Sequence, residues 1–179
     1  MSENYWKDAY KGKWGDSSAR EQRLMAYIQK CTGKEVKPYG LGAGSTQYIS
    51  GSAARNGYQK GDADLYIEDM DIFIEVTGPL SNKVDASQPL WFRPDKLNNA
   101  ARNINRGHDT FLAHHCTAAD LWRIIHVDDD FVKRFRAYEF PVVNPVINGR
   151  KERYVEIETE DICIRELEYL IDYIREQDK

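Results

Sequence analysis

The sequence predicts a single α/β domain, and three observations carry that prediction. Residues 61–78, GDADLYIEDMDIFIEVTG, hold two runs of apolar/polar alternation around a polar turn, the period of paired strands. Apolar residues recur at helical spacing on either side, at Leu24, Ile28 and Cys31 before them and at Leu97, Ala101 and Ile104 after them. A chain of 179 residues can also bury one core without disulfide or metal staples.

Taken in order, the first 17 residues are polar and aromatic and read as an N-terminal arm, frayed or docked. Ser18-Ala19-Arg20-Glu21 has the capping-box pattern, which starts a first helix at about 18 and runs it to about 31, with Gly33 as its stop. Val36 to Tyr39 suits a short strand. The glycine-rich stretch that follows lacks both the GKS/T ending of a P-loop and the GxGxxG spacing of a dinucleotide fingerprint. The strands Asp64–Ile67 and Ile72–Thr77 come next, then a loop with Pro79 and Pro89. Pro94 opens a second helix that Gly107 ends. Asp109 to Cys116 and Leu121 to Val127 read as two more strands, with Asp128-Asp129-Asp130 a turn or a metal-decorated surface. Val142 to Ile157 reads as a hairpin around Asn148-Gly149. A last helix is expected from about 160 to 177, with Ile164, Leu167, Leu170, Ile171 and Ile174 on its apolar face. The division expected is an arm over 1–17, a core over 18–127, and a C-terminal hairpin and helix over 128–179.

Composition removes several function classes. No apolar run approaches the ~18 residues of a membrane span, and the opening segment has no apolar core of a signal peptide, so no membrane partner and a cytoplasmic location are expected. Three cysteines without a CxxC pair give neither a disulfide framework nor a zinc ribbon. Charge is uneven: residues 1–60 carry 10 Lys/Arg against 5 Asp/Glu, and residues 61–130 carry 6 against 13. A basic first third beside an acidic middle suits a protein that grips phosphates with one part and a cation with another. A random scatter of solvated charges would look the same.

The chemistry is concentrated in the hairpin. Alternate residues of a strand share a face, so Leu65 and Ile67 point one way with Ile72, Ile74 and Val76, while Asp64 and Glu75 point the other. An acid in a strand that is otherwise β-rich and buried is costly unless compensated, and a divalent cation between two carboxylates compensates it. An edge hairpin with one solvated face would need no compensation. Both readings are open on spacing alone.

The order helix, strand, Asp, ten residues, Glu-x-polar, helix resembles the core of the PD-(D/E)xK nuclease superfamily, with GDAD at 61–64 as the first half-motif and Glu75-Val76-Thr77 as the second. The resemblance implies a restriction endonuclease-like core, a mixed central sheet flanked by helices, with an added C-terminal hairpin and helix. It implies a metal-dependent nuclease that hydrolyses phosphodiester bonds using Mg²⁺ or Mn²⁺. Asp64 and Glu75 would be the metal ligands, joined by the carbonyl of Val76, and Glu21 would match the family's first-helix acid. The motif lysine is missing, because Thr77 stands in its place, and Lys96 early in the second helix is the natural substitute. The implied partner is nucleic acid, DNA ahead of RNA, with a homodimer open. Lys7, Lys11, Lys13, Arg55, Lys60 and Asn99 are the expected phosphate contacts. Thr77 and the acidic pI near 5.6 leave a second reading open, a binding module on a nuclease scaffold that has lost catalysis.

Overall fold

A computed structural model describes residues 3–39 and 63–179, with side chains described from Ser18 onward. Six strands form the central sheet: β1 (Lys37–Pro38), β2 (Leu65–Ile67), β3 (Ile72–Thr77), β5 (Asp109–Cys116), β6 (Leu121–His126) and β11 (Ile164–Glu166), hydrogen-bonded in that order. β4 (Leu90–Phe92) lies outside it. Every neighbouring pair in the central sheet is antiparallel except β3 and β5, which are parallel. A parallel pair needs a crossover, and α2 (Pro94–Asn105) supplies it. The result is a mixed α/β architecture with a central mixed sheet flanked by helices, as the sequence predicts.

The sheet separates two cores. On one face α1 (Glu3–Thr32) and α4 (Leu167–Gln177) bring Leu24, Ile28, Leu170, Ile171 and Ile174 onto Leu65, Ile67, Ile72, Ile74, Val76, Phe111, Ala113 and Ile124. Each such side chain is worth roughly 1.5–3 kcal/mol when fully buried. On the other face α2 and α3 (Asp129–Arg136) pack Leu97, Ala100, Ala101, Phe131 and Val132 with Leu112 and Ile125 of the sheet. This second core also takes Leu90 and Phe92 of β4, and Val155 and Ile157 of β10 (Tyr154–Ile157). β4, β10 and β7 (Val142–Val143) form a separate small antiparallel sheet.

Four expectations are corrected. The first helix spans Glu3–Thr32 rather than 18–31, so Ser18 and Glu21 lie inside it and form no capping box. No proline interrupts residues 3–32, and a helix with nothing to stop it runs through a cap-like sequence. Asp128 to Asp130 begin α3: the Asp128 side chain accepts a hydrogen bond from the Phe131 amide at 2.8 Å, and Asp129 and Asp130 sit where acids favour a helix N-terminus. The last helix begins at Leu167 rather than 160, because Ile164–Glu166 pair with the open edge of β6 instead. The 142–157 hairpin is split. Asn148 and Gly149, both with positive φ, turn only the ribbon of β8 (Val146–Ile147) and β9 (Arg150–Lys151), while β10 leaves to join β4 and β7.

Gly78 fixes how the chain leaves β3. Its φ is +139°, and a Cβ there would lie 2.1 Å from the His115 carbonyl oxygen, so only glycine fits. The loop that follows is held across the end of the sheet. Arg20 donates to the Gly78 and Pro79 carbonyls, both at 2.8 Å, and Arg123 donates to the Ala86 carbonyl at 3.0 Å.

Candidate functional site

The register of the hairpin decides what meets at its centre. Leu65 pairs with Ile74 and closes the ladder, and just beyond that pair the Asp64 and Glu75 carboxylates lie close enough to act on each other. The Asp64 amide donates to the Ile74 carbonyl at 3.1 Å, one residue out of the ladder's register, and this bond holds Asp64 against β3. Both carboxylates lie on the face that α2 covers, and both are buried, at 6% and 5% exposure. Beyond Asp64 the β2 ladder no longer serves Val76, whose amide instead donates to Asp64 Oδ2 at 2.8 Å. This bond fixes the Asp64 carboxylate. In a strand the amide and carbonyl of one residue point to the same edge, so the Val76 carbonyl is directed toward this end of the site.

α2 delivers the cation. Pro94 at its start and Arg93 as its cap set the first turn, and Lys96 in that turn places Nζ 2.9 Å from Glu75 Oε1 and 3.0 Å from Oε2. Burial works against the Lys96 ammonium, but Glu75 and Asp64 outweigh it and hold its pKa above the ordinary lysine value. Burial, then the Asp64 charge, push Glu75 well above the usual carboxylate range, with Lys96 opposing them. The site is thus two neighbouring buried acids and a lysine, bonded to Glu75, that stays charged.

Glu21 is buried on α1, one helical turn before Leu24 on the stripe that faces the sheet. Its neighbour Arg20 binds the two carbonyls directly after β3, so Glu21 sits at the same end of the sheet as Thr77. Thr77 ends β3 on the Glu75 face, half-buried, and pairs with His114. Asn99 lies one turn after Lys96 but points inward: it is 7% exposed and accepts a hydrogen bond from Arg102 at 3.2 Å. The side chains of Lys7, Lys11 and Lys13 on α1, together with Arg55, Lys60 and Asp62, lie outside the described residues.

His114 and His115 point to opposite faces of β5, as their adjacency requires, and do not share a site. His114 is buried against the Phe92 ring, and burial, then the Arg123 charge, lower its pKa to about 3, so it stays neutral. His115 stacks near Trp122 and bonds Asp120. Among the described residues no group of three or more His, Cys, Asp or Glu is gathered as a metal cluster. Sequence reasoning missed Arg93. Burial disfavours its guanidinium, but Asp95 and then Glu75 raise its pKa, which puts it within the field of the acidic pair. The available signal was its place three residues before Lys96, one turn away on the same side of α2.

No protein-family model matches the sequence, and no curated protein does. Among solved structures the chain is similar to D212, a nuclease from a fusselovirus, with a TM-score of 0.54 and 16% identity over 92% of each chain. At that identity the likeness shows the fold alone: this chain has the restriction endonuclease-like architecture, a central mixed sheet flanked by helices. No helix of the described residues is long and apolar enough to cross a membrane.

Proposed function

We propose that this protein is a metal-dependent nuclease that hydrolyses phosphodiester bonds of nucleic acid, DNA ahead of RNA, at the Asp64–Glu75 pair. The observation that carries this reading is that those two carboxylates are buried side by side at the end of one hairpin, on a fold shared with a nuclease. Two oxygen donors plus a backbone carbonyl suit a hard divalent cation such as Mg²⁺ or Mn²⁺. Asp64, Glu75 and the Val76 carbonyl would hold it. Such an ion, when bound, lowers the pKa of a water and offsets charge on the phosphate oxygens.

The remaining work falls to the chain. The Val76 amide keeps Asp64 in one orientation, so the pair is preorganised. Lys96 remains protonated and therefore acts as a fixed positive charge for the developing oxyanion, not as a base. Thr77 contributes no charge there, which leaves Lys96 to fill the part of the motif lysine. Lysines of the first helix and the glycine-rich stretch would hold the strand by its phosphates.

One observation favours a second reading. Lys96 already contacts both oxygens of Glu75, an arrangement that neutralises the pair with no metal at all and suits a binding module on a nuclease scaffold. Titration with Mg²⁺ and Mn²⁺, followed by cleavage of mixed DNA substrates, separates the two. Either ion should raise the wild-type melting temperature by mass action, and Asp64→Asn, which can still accept from the Val76 amide, should abolish both the rise and the cleavage. A metal response unchanged in Asp64→Asn and Glu75→Gln would overturn the site.

A further inference from the structure

The small sheet beside the site has a face that the nuclease reading does not use. Along β4, Leu90 and Phe92 point into the core, whereas Trp91 points out and stays 38% exposed. On β10 the neighbouring Tyr154 points the same way, and the two rings stack with centroids 5.6 Å apart and planes 22° from parallel. Their polar edges are occupied: Trp91 Nε1 donates to Glu156 at 2.8 Å, and the Tyr154 hydroxyl donates to Glu152 at 2.5 Å. These bonds fix both rings in plane and leave the ring faces as the available surface.

The position of this pair gives it meaning. Val155 pairs with Phe92, so the next step of that ladder sets Tyr154 opposite Arg93, the residue that caps α2 and lies within the field of Glu75. Arg93 is itself paired with Asp95, which holds its guanidinium beside the helix start. Trp91 is therefore five residues from Lys96 along one rigid strand-to-helix junction. Phe92 between them packs on His114 of the site face. Arg93 shares the outward side of Trp91 and Tyr154 and lies in the field of both Glu75 and Tyr154, so it links the acids to the ring pair. A strand bound at Glu75 would meet an aromatic platform flanked by a cation. Stacking on such a platform is worth roughly 1–3 kcal/mol per base, and it needs a base that is out of the duplex.

We propose that the stacked pair Trp91 and Tyr154, with Arg93, is a platform for an unpaired base of the nucleic-acid strand. The substrate class is then single-stranded or locally unpaired nucleic acid rather than continuous duplex. The identity of the ligand rests on the nuclease reading; the platform itself rests on the ring geometry.

The test is binding of fluorescein-labelled oligonucleotides by anisotropy in chelator, using a dT single strand, a blunt hairpin duplex and a duplex with a single-stranded overhang. Wild type should bind the single strand and the overhang at least tenfold tighter than the blunt duplex. Trp91→Ala should lose roughly tenfold on those two probes and nothing on the duplex, and Trp91→Phe, which keeps a ring, should recover most of the loss. Abasic positions in the single strand should weaken wild-type binding to a similar degree, which tests the platform without any variant. Equal binding of single strand and duplex by wild type, or a Trp91→Ala loss that is the same on all probes, would overturn the proposal. Cleavage in Mg²⁺ is read separately. Cleavage without Trp91-dependent binding overturns the platform and leaves the nuclease; Trp91-dependent binding without cleavage does the reverse.

Discussion

The two faces of the central sheet come from the same strands and hold opposite chemistry. Strand β3 shows it residue by residue: Ile72, Ile74 and Val76 enter the aliphatic core under α1 and α4, while Phe73, Glu75 and Thr77 face α2. Most of the buried polar residues gather on the α2 side, among them Asp64, Glu75, Asn99, Asn103, Thr110, His114 and Arg123. Buried polar groups are costly, and this fold gathers most of them on one face while the other holds an aliphatic core with Arg20, Glu21 and His115 at its edge, so stability and chemistry are largely separated. Among the described residues the Thr110 hydroxyl, His114 Nδ1 and Arg123 Nε on this face, and His115 Nδ1 on the other, lack a hydrogen-bond partner, which adds to the cost. The dry face has the burial to offset it.

Lys96→Ala probes that separation most strongly, because it removes the cation between the acids. Turnover should fall by about two to four orders of magnitude, as for one positioned charge-stabilising group. Lys96 lies off the Leu97/Ala101/Ile104 stripe, which by itself predicts that stability survives its loss. The structure changes that expectation, because Lys96 is paired with a buried carboxylate. A carboxyl whose folded pKa lies above its unfolded one contributes stability that is full below the unfolded value and is lost as pH rises through the folded value. Glu75 is already raised, and losing Lys96 raises it further. In chelator, the deficit of Lys96→Ala against wild type should therefore be small near pH 4 and grow to about 3 kcal/mol by pH 8. Urea melts across that range measure it, and a deficit that ignores pH would mean that the pair does not carry the effect.

One residue away, Ile74→Ala tests the other face. Ile74 is fully buried, and removing its side chain should cost about 2–5 kcal/mol. Cleavage per folded molecule should stay within about twofold below the unfolding transition, because Lys96 holds the adjacent Glu75 carboxylate and the Val76 amide holds Asp64, rather than the aliphatic packing. Active-site titration alongside a urea melt gives both numbers. A large loss of activity in the folded fraction would show that the two faces are coupled through β3.

The same contrast explains what could be read from the sequence. The dry face was legible: alternation in 64–77 and the 3.6 period around Leu24, Ile28, Leu170 and Ile174 place its residues correctly. That Asp64 and Glu75 share a face followed from parity, and the contact of Lys96 with Glu75 followed from its place in the first turn of α2. What failed was local punctuation. Ser18 and Glu21 look like a helix start only when residues 3–17 are taken as an arm, and Ile164 fits a helical stripe until β6 offers it an edge. Tertiary partners decide such cases, and no window of sequence contains them. Asn99 reads as a phosphate contact because asparagine is usually on the surface, yet it is buried and accepts a hydrogen bond from Arg102. β4 went unseen because three residues between prolines carry no period, and with it went the Trp91–Tyr154 stack.

The smallest expected effect belongs to Thr77→Lys, and it bears on whether the polar face has room for the missing motif lysine. Thr77 is half-buried, on the Glu75 side of β3 and in register with His114, a neutral ring held against Phe92. A lysine there can send its ammonium toward Glu75 only by competing with Lys96, which already contacts both oxygens. In the wild-type background two cations would then crowd one acid pair, and turnover should change by no more than about threefold, near 0.6 kcal/mol. In the Lys96→Ala background the competition is gone, so Thr77→Lys should restore about tenfold of the lost turnover and part of the lost stability at pH 8. The double-mutant cycle is the measurement: a coupling near 1 kcal/mol between the two positions means they serve the same oxygens. Additive effects would place the Thr77 side chain outside the reach of Glu75, and the migrated-lysine account would fail even for an active nuclease. If wild type never cleaves and Thr77→Lys alone does, the polar face is a binding surface that one substitution returns to catalysis.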